Sequence, residues 1–241
     1  MSTVPVEPRT VVVIPAFNEH ESLPGVLAEL HQTVPDLDVA VIDDGSTDGT
    51  ADVARAGGAI VLQLPFNLGI GGALRAGFRF AVEEGYDRAV QFDADGQHDA
   101  SQIEVLLGAL DDGADMVIGN RFGADDDYEV GATRGMAMGS LRFLTRRLAG
   151  QSFVDTSSGF RAVQRPLLER WATEYPIEYM DSVETLIGAC RAGYDVREVP
   201  TRMRARAGGQ PSNRHFRLVY NYLRLLVAVA SSTLRRRPRP T

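Results

Sequence analysis

The stretch "VQFDADGQHD", Val90 to Asp99, brings three carboxylates and a histidine together directly after an apolar run. Such a set can hold a metal, act as an acid/base pair, or simply solvate a turn. Asp93, Asp95 and Gln97 alternate, so an extended stretch would point all three side chains one way. Hard oxygen donors of this kind suit Mg2+ or Mn2+. Mg2+ needs few of them, because substrate phosphates and waters complete its shell. In that geometry His98 points elsewhere and reads as a surface residue or one standing behind the ligands, and Asp99 reads as a helix cap. By itself an Asp-x-Asp after a strand is weak, since solvated Asp-rich turns are common.

Four further polar clusters follow apolar runs: "PAFNE" (Pro15 to Glu19), "DDGS" (Asp43 to Ser46), "FNLG" (Phe66 to Gly69) and "GNR" (Gly119 to Arg121). One of Asp43 and Asp44 should face a cleft, where a carboxylate can accept hydrogen bonds from a base or a ribose. A turn-forming role fits Asp43 or Asp48 equally well. The turn after the first apolar run carries neither G-x-G-x-x-G nor G-x-x-x-x-G-K-[ST], which argues against a dinucleotide dehydrogenase or a P-loop enzyme. Gly69, Gly71 and Gly72 could let a ligand approach the backbone, or could mark a tight turn and a close-packed helix. Arg121, Arg134, Arg161, Arg204 and Arg206 supply planar forks suited to phosphate; Arg146, Arg147 and Arg165 read as solvated charges.

These clusters need a frame. "TVVVIPAF", "DVAVIDD", "AIVLQLP", "RAVQFD" and "DMVIGN" read as strands, and "ESLPGVLAEL", Asp48 to Ala56, "GGALRAGFRFAVEEG" and "SQIEVLLGALDDG" as the helices between them. In the first helix Leu23, Val26, Leu27 and Leu30 keep the i, i+3, i+4, i+7 spacing, with Pro24 in the first turn. Ser46 or Thr47 can cap the second helix, and Asp99 or Ser101 the fourth. Strands apolar on both faces, alternating with helices, predict a mostly parallel α/β sheet covered on both sides. Ligands of such sheets bind outside the carboxyl ends of the strands, where all five clusters fall. Beyond Arg121 the pattern changes to a loop ("FGADDDYEVGA"), a basic helix ("TRGMAMGSLRFLTRRLAG"), a polar turn and strand ("FVDTSSGFRAV"), a helix ("DSVETLIGACRAG") and an extended segment ("YDVREVPTRMRAR"). A long terminal helix and an Arg-rich tail close the chain.

The 241 residues are 44% hydrophobic, enough for one sizeable core. The net charge of −7 argues against wholesale nucleic-acid binding. Basic residues dominate from Arg134 onward, which suggests an anionic partner for the second half. The single cysteine, Cys190, excludes an intrachain disulfide and reads as a buried small hydrophobe; a cytoplasmic location is the default. The N-terminus lacks the basic start and apolar core of a signal peptide. The apolar stretch "LVYNYLRLLVAVASSTL" is interrupted by Asn221 and Arg224 and falls short of a membrane span.

Seven segments in order, "IPAFNE", "VIDDGSTDGT", "NLGIGGALRAGF", "FDADGQHD", "IGNRF", "DTSSGFRA" and "EVPTRMRARAGGQPS", resemble the family-2 glycosyltransferases, nearest to the dolichyl- and polyprenyl-phosphate sugar synthases. The resemblance runs from about Thr10 to Ser212. It implies a GT-A fold, with a Rossmann-like nucleotide-binding half, over residues 1–212. Residues 213–241 remain for an amphipathic helix and basic tail without a transmembrane segment. It implies that Pro15, Ala16, Glu19, Asp44, Asn67, Gly72, Asp93, Ala94 and Asp95 bind the donor nucleotide, and that Asp95 and Gln97 hold Mg2+ or Mn2+. Arg121, Arg134, Ser158, Arg161 and Arg206 match residues near the acceptor phosphate, with Ser212 on a loop over the site. Asp93, Asp95 and Arg121 would carry catalysis. Pro211 and Asn213 depart from relatives that more often carry Ser and Lys there.

The resemblance implies transfer from a nucleotide-diphosphate sugar, uridine favoured over guanosine, to a polyprenyl phosphate with inversion. A phosphate with a second pKa of about 6 is ionised near neutrality and can attack without a strong general base. A saccharide or small-molecule hydroxyl acceptor is the alternative; it would need a base, with Asp155 or Asp181 as candidates. A binding module without catalysis is a third reading, against which an intact "DADGQ" argues. Phe216, Val219, Leu223 and Leu226 share or flank one helix face. They fit packing on the domain or in a homodimer, or docking on the cytoplasmic membrane face beside anionic lipid or a membrane-protein partner.

Overall fold

The computed structural model describes residues 7–121, 145–176 and 181–204. Its centre is a seven-stranded sheet in the order β3-β2-β1-β4-β6-β5-β7. The strands are β1 (Thr10–Ala16), β2 (Asp38–Asp43), β3 (Ile60–Gln63), β4 (Arg88–Gln91), β5 (Met116–Asn120), β6 (Arg161–Gln164) and β7 (Val196–Pro200). β6 runs antiparallel between β4 and β5, and the other pairings are parallel. The sheet is therefore mostly parallel, as the alternation of elements requires.

Helices α1 (Leu23–Thr33), α2 (Thr50–Ala56), α3 (Ile70–Glu83), α4 (Ile103–Asp111), α5 (Arg165–Glu174) and α6 (Asp181–Arg191) cover both faces. The alternation of β1 separates two cores. Val12 and Ile14 pack with Leu23, Val26, Leu27 and Leu30 of α1 and Ile103, Leu106 and Leu110 of α4. Val11 and Val13 pack with Leu74 and Phe78 of α3 and Leu167, Leu168 and Trp171 of α5. The four apolar positions expected on α1 are those it buries. Gly77 lets α3 approach the sheet: a Cβ there would lie 2.4 Å from Val13 Cγ1.

Three details differ from the sequence reading. β3 is an edge strand, half exposed rather than buried on both faces. Helix α5 was not anticipated, although Pro166 in its first turn and the Leu167, Leu168, Trp171 spacing carry the signal. Neither Ser46 nor Thr47 caps α2; both bond to Asn18, whose Oδ1 accepts from the Thr47 N–H at 2.9 Å and whose N–H donates to Ser46 Oγ at 2.9 Å. Asp99 does cap the turn before α4, accepting from the Ser101 N–H at 3.0 Å. Cys190 is partly buried as expected, and burial pushes its thiol up to about 11. The terminal helix, most of the basic helix and the "FGADDDYEVGA" loop lie outside the described residues.

Candidate functional site

The strand order reverses between β1 and β4, so the crevice of this sheet opens beyond Ala16 on one side and Asp93 on the other. The polar clusters gather there through backbone bonds between neighbouring strand ends. The Asp44 N–H donates to the Ala16 carbonyl at 2.8 Å, and the Phe92 N–H to the Val13 carbonyl at 3.0 Å. Asn18 holds the left-handed conformation, with φ 55°, and clamps "PAFNE" onto "DDGS" through Ser46 and Thr47. Glu19 is fixed there by its own N–H, which donates to Thr50 Oγ1 at 2.9 Å.

Both carboxylates of "DDGS" are buried. Asp43 Oδ1 accepts from the Ser46 N–H at 3.0 Å, the turn role. Asp44 accepts from the N–H groups of Leu68 and Gly69 at 2.7 and 2.8 Å, and so holds the β3–α3 loop to the end of β2. Burial raises the Asp44 pKa; the two N–H bonds oppose the shift and the Asp43 charge adds to it. Asn67 Oδ1 also accepts from the Gly69 N–H, at 3.0 Å. Gly72 has the packing role rather than an open backbone, since a Cβ would lie 2.5 Å from Leu68 Cβ. Asp48 is held below its ordinary pKa: burial opposes ionisation, but hydrogen bonds from Thr50 and His20 outweigh it.

Asp93 to Gly96 form a turn, not an extended run, with Gly96 at φ 75°. The alternation argument for one-sided display therefore fails, and the turn itself must place the side chains. Asp95 is buried and its Oδ1 accepts from the Gln97 N–H at 3.0 Å. The Gln97 backbone carbonyl accepts from the Arg204 N–H at 2.8 Å. Among the described residues no group of three or more His, Cys, Asp and Glu could hold a metal. A carboxylate and a primary amide with one residue between them, both oxygen donors, fit a hard cation that takes its other ligands from phosphate and water. His98 is not a surface residue: it lies in the core under Asp93, bonded to that residue's N–H and stacked on Phe160. The wall opposite Asp93 is Gly159, where a Cβ would sit 3.2 Å from Asp93 Oδ2.

The arginines divide. Arg121 leaves the end of β5 and forks onto the buried Asp155, Nε to Oδ2 at 2.6 Å and Nη2 to Oδ1 at 3.1 Å, with Nη2 also on Ser157 Oγ at 2.9 Å. Glu198 of β7 accepts from the backbone N–H groups of Val154 and Asp155 and fixes this turn. Asp155 is thus an ion-pair partner in this structure, which removes it as an available base. Arg161 is only 1% exposed; Nε donates to the Ser158 carbonyl and Nη1 to Thr185 Oγ1, each at 2.8 Å. The expectation that Arg161 reaches an acceptor phosphate is corrected: it braces the "SSGF" turn from inside. Ser158 is buried too, accepting from the Phe160 N–H at 3.2 Å. Arg204 pairs with Glu29 at 2.6 and 3.0 Å and lies 3.3 Å from Asp99, so it ties the chain down rather than facing a ligand. Arg165 is no free charge either, pairing with Glu169 and donating to the Tyr86 carbonyl. Arg134, Arg206, Ser212 and the side chain of Asp181 lie outside the described residues.

The sequence and the fold match known proteins. A model of the family described as glycosyl transferase family 2 matches residues 11–171. The chain belongs to glycosyltransferase family 2. This glycosyltransferase is 33% identical over 208 residues to a polyprenol monophosphomannose synthase of Mycolicibacterium smegmatis, covering 83% of this chain and 78% of the relative. It is 36% identical over 201 residues to an undecaprenyl-phosphate mannosyltransferase of Micrococcus luteus, covering 80% and 82%. A solved glucosyl-3-phosphoglycerate synthase of Mycobacterium tuberculosis, in complex with Mn2+, uridine diphosphate and phosphoglyceric acid, aligns with a TM-score of 0.71 at 24% identity over 94% of this chain and 78% of that one. The fold is GT-A, and the enzyme is a nucleotide-sugar-dependent glycosyltransferase.

Proposed function

We propose that the enzyme transfers a sugar from a nucleotide-diphosphate sugar to a polyprenyl phosphate, with inversion and with a divalent cation. The observation that carries the acceptor is the pair of relatives named for polyprenol and undecaprenyl phosphate, each aligned over four fifths of the chain or more. The donor nucleotide occupies the β1/β4 crevice between Pro15, Ala16, Glu19 and the β3–α3 loop held by Asp44, beside Asn67 and Gly72. Its diphosphate reaches Asp93, Ala94 and Asp95. An acceptor phosphate oxygen attacks the anomeric carbon as the bond from that carbon to the diphosphate oxygen breaks, and the electron pair leaves with the nucleoside diphosphate. A single displacement of this kind inverts the carbon.

Asp95 and Gln97 would hold the cation, which supplies positive charge for the leaving diphosphate. Arg121, oriented by Asp155 and 31% exposed in its side chain, is the described arginine we assign to the acceptor phosphate. Arg134 and Arg206 are the further cations assigned to that phosphate, and Ser158 shapes its turn. The C-terminal helix and tail would bring the enzyme to the cytoplasmic membrane face; among the described residues no helix is long and apolar enough to cross a membrane.

One observation favours a hydroxyl acceptor: the solved neighbour crystallised with phosphoglyceric acid. Commitment of Asp155 to Arg121 weighs against the base such an acceptor needs. The deciding experiment incubates purified enzyme and Mn2+ with UDP- and GDP-linked sugars, offering undecaprenyl phosphate and phosphoglyceric acid in parallel. The expected product is a lipid-linked monosaccharide. Transfer to phosphoglyceric acid alone would replace this reading with the second.

A further inference from the structure

Beyond β7 the chain joins the end of β5 to the turn that follows β4. The Thr201 N–H donates to the Asn120 carbonyl at 3.0 Å. Met203 then forms an antiparallel bridge to His98, and the Arg204 N–H donates to the Gln97 carbonyl at 2.8 Å. Met203 and Arg204 thus lie along the donor motif as a short edge, and the side chain of Arg204 fastens it. Its fork closes on Glu29 of α1, Nη1 to Oε2 at 2.6 Å and Nη2 to Oε1 at 3.0 Å. Glu29 Oε1 also accepts from the Ala100 N–H at 2.9 Å, and Asp99 Oδ1 stands 3.3 Å from Arg204 Nη2. One carboxylate therefore holds both the residue that follows "DADGQHD" and the segment that runs beside it.

We propose that Arg204 is a positioning residue for the divalent cation: its fork on Glu29 fixes the Gln97 backbone beside Asp95. This rests on the reading of Asp95 and Gln97 as the residues that hold the cation. Gly96, at φ 75°, stands between the two, and a glycine by itself leaves their spacing loose. The restraint comes from outside it. The Gln97 N–H donates to Asp95 Oδ1 at 3.0 Å, and the Gln97 carbonyl accepts from Arg204 at 2.8 Å. Held on both sides, the backbone from which the Gln97 side chain leaves has one favoured place. The Arg204 side chain is 48% exposed and that of Glu29 27%, so their pairing adds little stability. What a planar fork on a carboxylate supplies is geometry, which the point charge of a lysine would not. Arg204 acts through the Gln97 peptide and is no ligand itself.

The test is calorimetric binding of UDP and GDP with and without Mn2+, alongside kcat and the KM values of donor and acceptor. In Arg204→Met, which keeps the stem and loses the fork, the gain in nucleotide affinity from Mn2+ should fall about tenfold, the low end for residues that orient a metal ligand from behind. Metal-free binding should stay unchanged. Arg204→Lys restores the charge without the fork and should recover little; full recovery would overturn the role of the fork. Glu29→Gln keeps an acceptor for Ala100 and breaks the fork, so it should show the same loss, and the double variant no more than either single one. Arg197→Met is the control: it breaks the exposed pair with Asp195 on the same strand and should leave the Mn2+ gain intact. Each variant should shift the thermal midpoint by less than about 4 °C. An unchanged Mn2+ gain in Arg204→Met, a matching loss in Arg197→Met, or additive losses in the double variant would overturn the proposal. A change confined to the acceptor KM would also overturn it and assign Arg204 to the acceptor phosphate. Should Arg204→Met fail to fold, Glu29→Gln and Arg204→Lys decide. A wild-type enzyme whose nucleotide binding ignores Mn2+ would instead overturn the cation-site reading, and the proposal with it.

Discussion

Gly159→Ala tests the wall against the Asp93 carboxylate with a single methyl group. Gly159 does not sit at a positive φ, so alanine meets no backbone strain there. Its Cβ would lie 3.2 Å from Asp93 Oδ2, 3.3 Å from Asp93 Oδ1 and 3.2 Å from Gln91 Nε2. These contacts are tight, and Asp93 is the mobile partner because Gln91 is buried. Ordinary contact needs a shift of roughly 0.3 Å, and misplacement by 1 Å costs about 100-fold, so kcat/KM should fall about fourfold. Stability should change by less than about 1 kcal/mol, because overpacking of about 1 kcal/mol is offset by the restricted unfolded chain. Gly108→Ala is the control: mid-helix on α4 with nothing within 4 Å of the added Cβ, it should raise stability by about 0.5–1 kcal/mol and leave kcat/KM unchanged. The assay is initial-rate transfer with the donor varied, with thermal unfolding by circular dichroism. An unchanged kcat/KM in Gly159→Ala, or a loss matched by Gly108→Ala, would refute the placement of Asp93 against this wall.

Asp155→Asn breaks a bidentate pair whose carboxylate is buried and whose arginine is 31% exposed. Discounting for that exposure, urea unfolding should show a loss of about 2 kcal/mol. Transfer to undecaprenyl phosphate should survive within about tenfold, whereas a drop of 10²–10⁴ would make Asp155 a general base. The Tyr86 hydroxyl donates to Asp38 Oδ2 at 2.7 Å, and burial followed by that bond pushes its pKa up to about 12. Its stabilising contribution is complete below the unfolded value near 10 and disappears as pH rises through 12. Ultraviolet titration of wild type against Tyr86→Phe should therefore show one tyrosine ionising late. The depressed Asp48 has the opposite sign: stability it lends above the unfolded value of 3.8 is lost as pH falls through its folded pKa, and Asp48→Asn should flatten the acid end of the stability profile. Cys190, raised to about 11, should resist a thiol reagent at pH 8 in the native protein and react promptly once unfolded.

Local pattern alone determined the elements of the nucleotide-binding half. The β-branched runs, the Leu23 to Leu30 spacing, the Asp99 cap and the clusters at strand ends depend on neighbours a few residues away, and each appears where the sequence places it. Tertiary structure decided which charged groups remain open to a ligand. Arg121 meets Asp155 across 34 residues and Arg204 meets Glu29 across 175, pairings that no local spacing encodes. Arg161 looked like a phosphate ligand in "SSGFR", but β6 enters antiparallel between β4 and β5 and carries it into the interior. His98 reads as a surface residue or one standing behind the ligands if "DADGQH" is extended. The turn at Gly96 reverses the chain, so the ring comes back beneath Asp93, where Phe92, just past β4, and Phe160, just before β6, hold it.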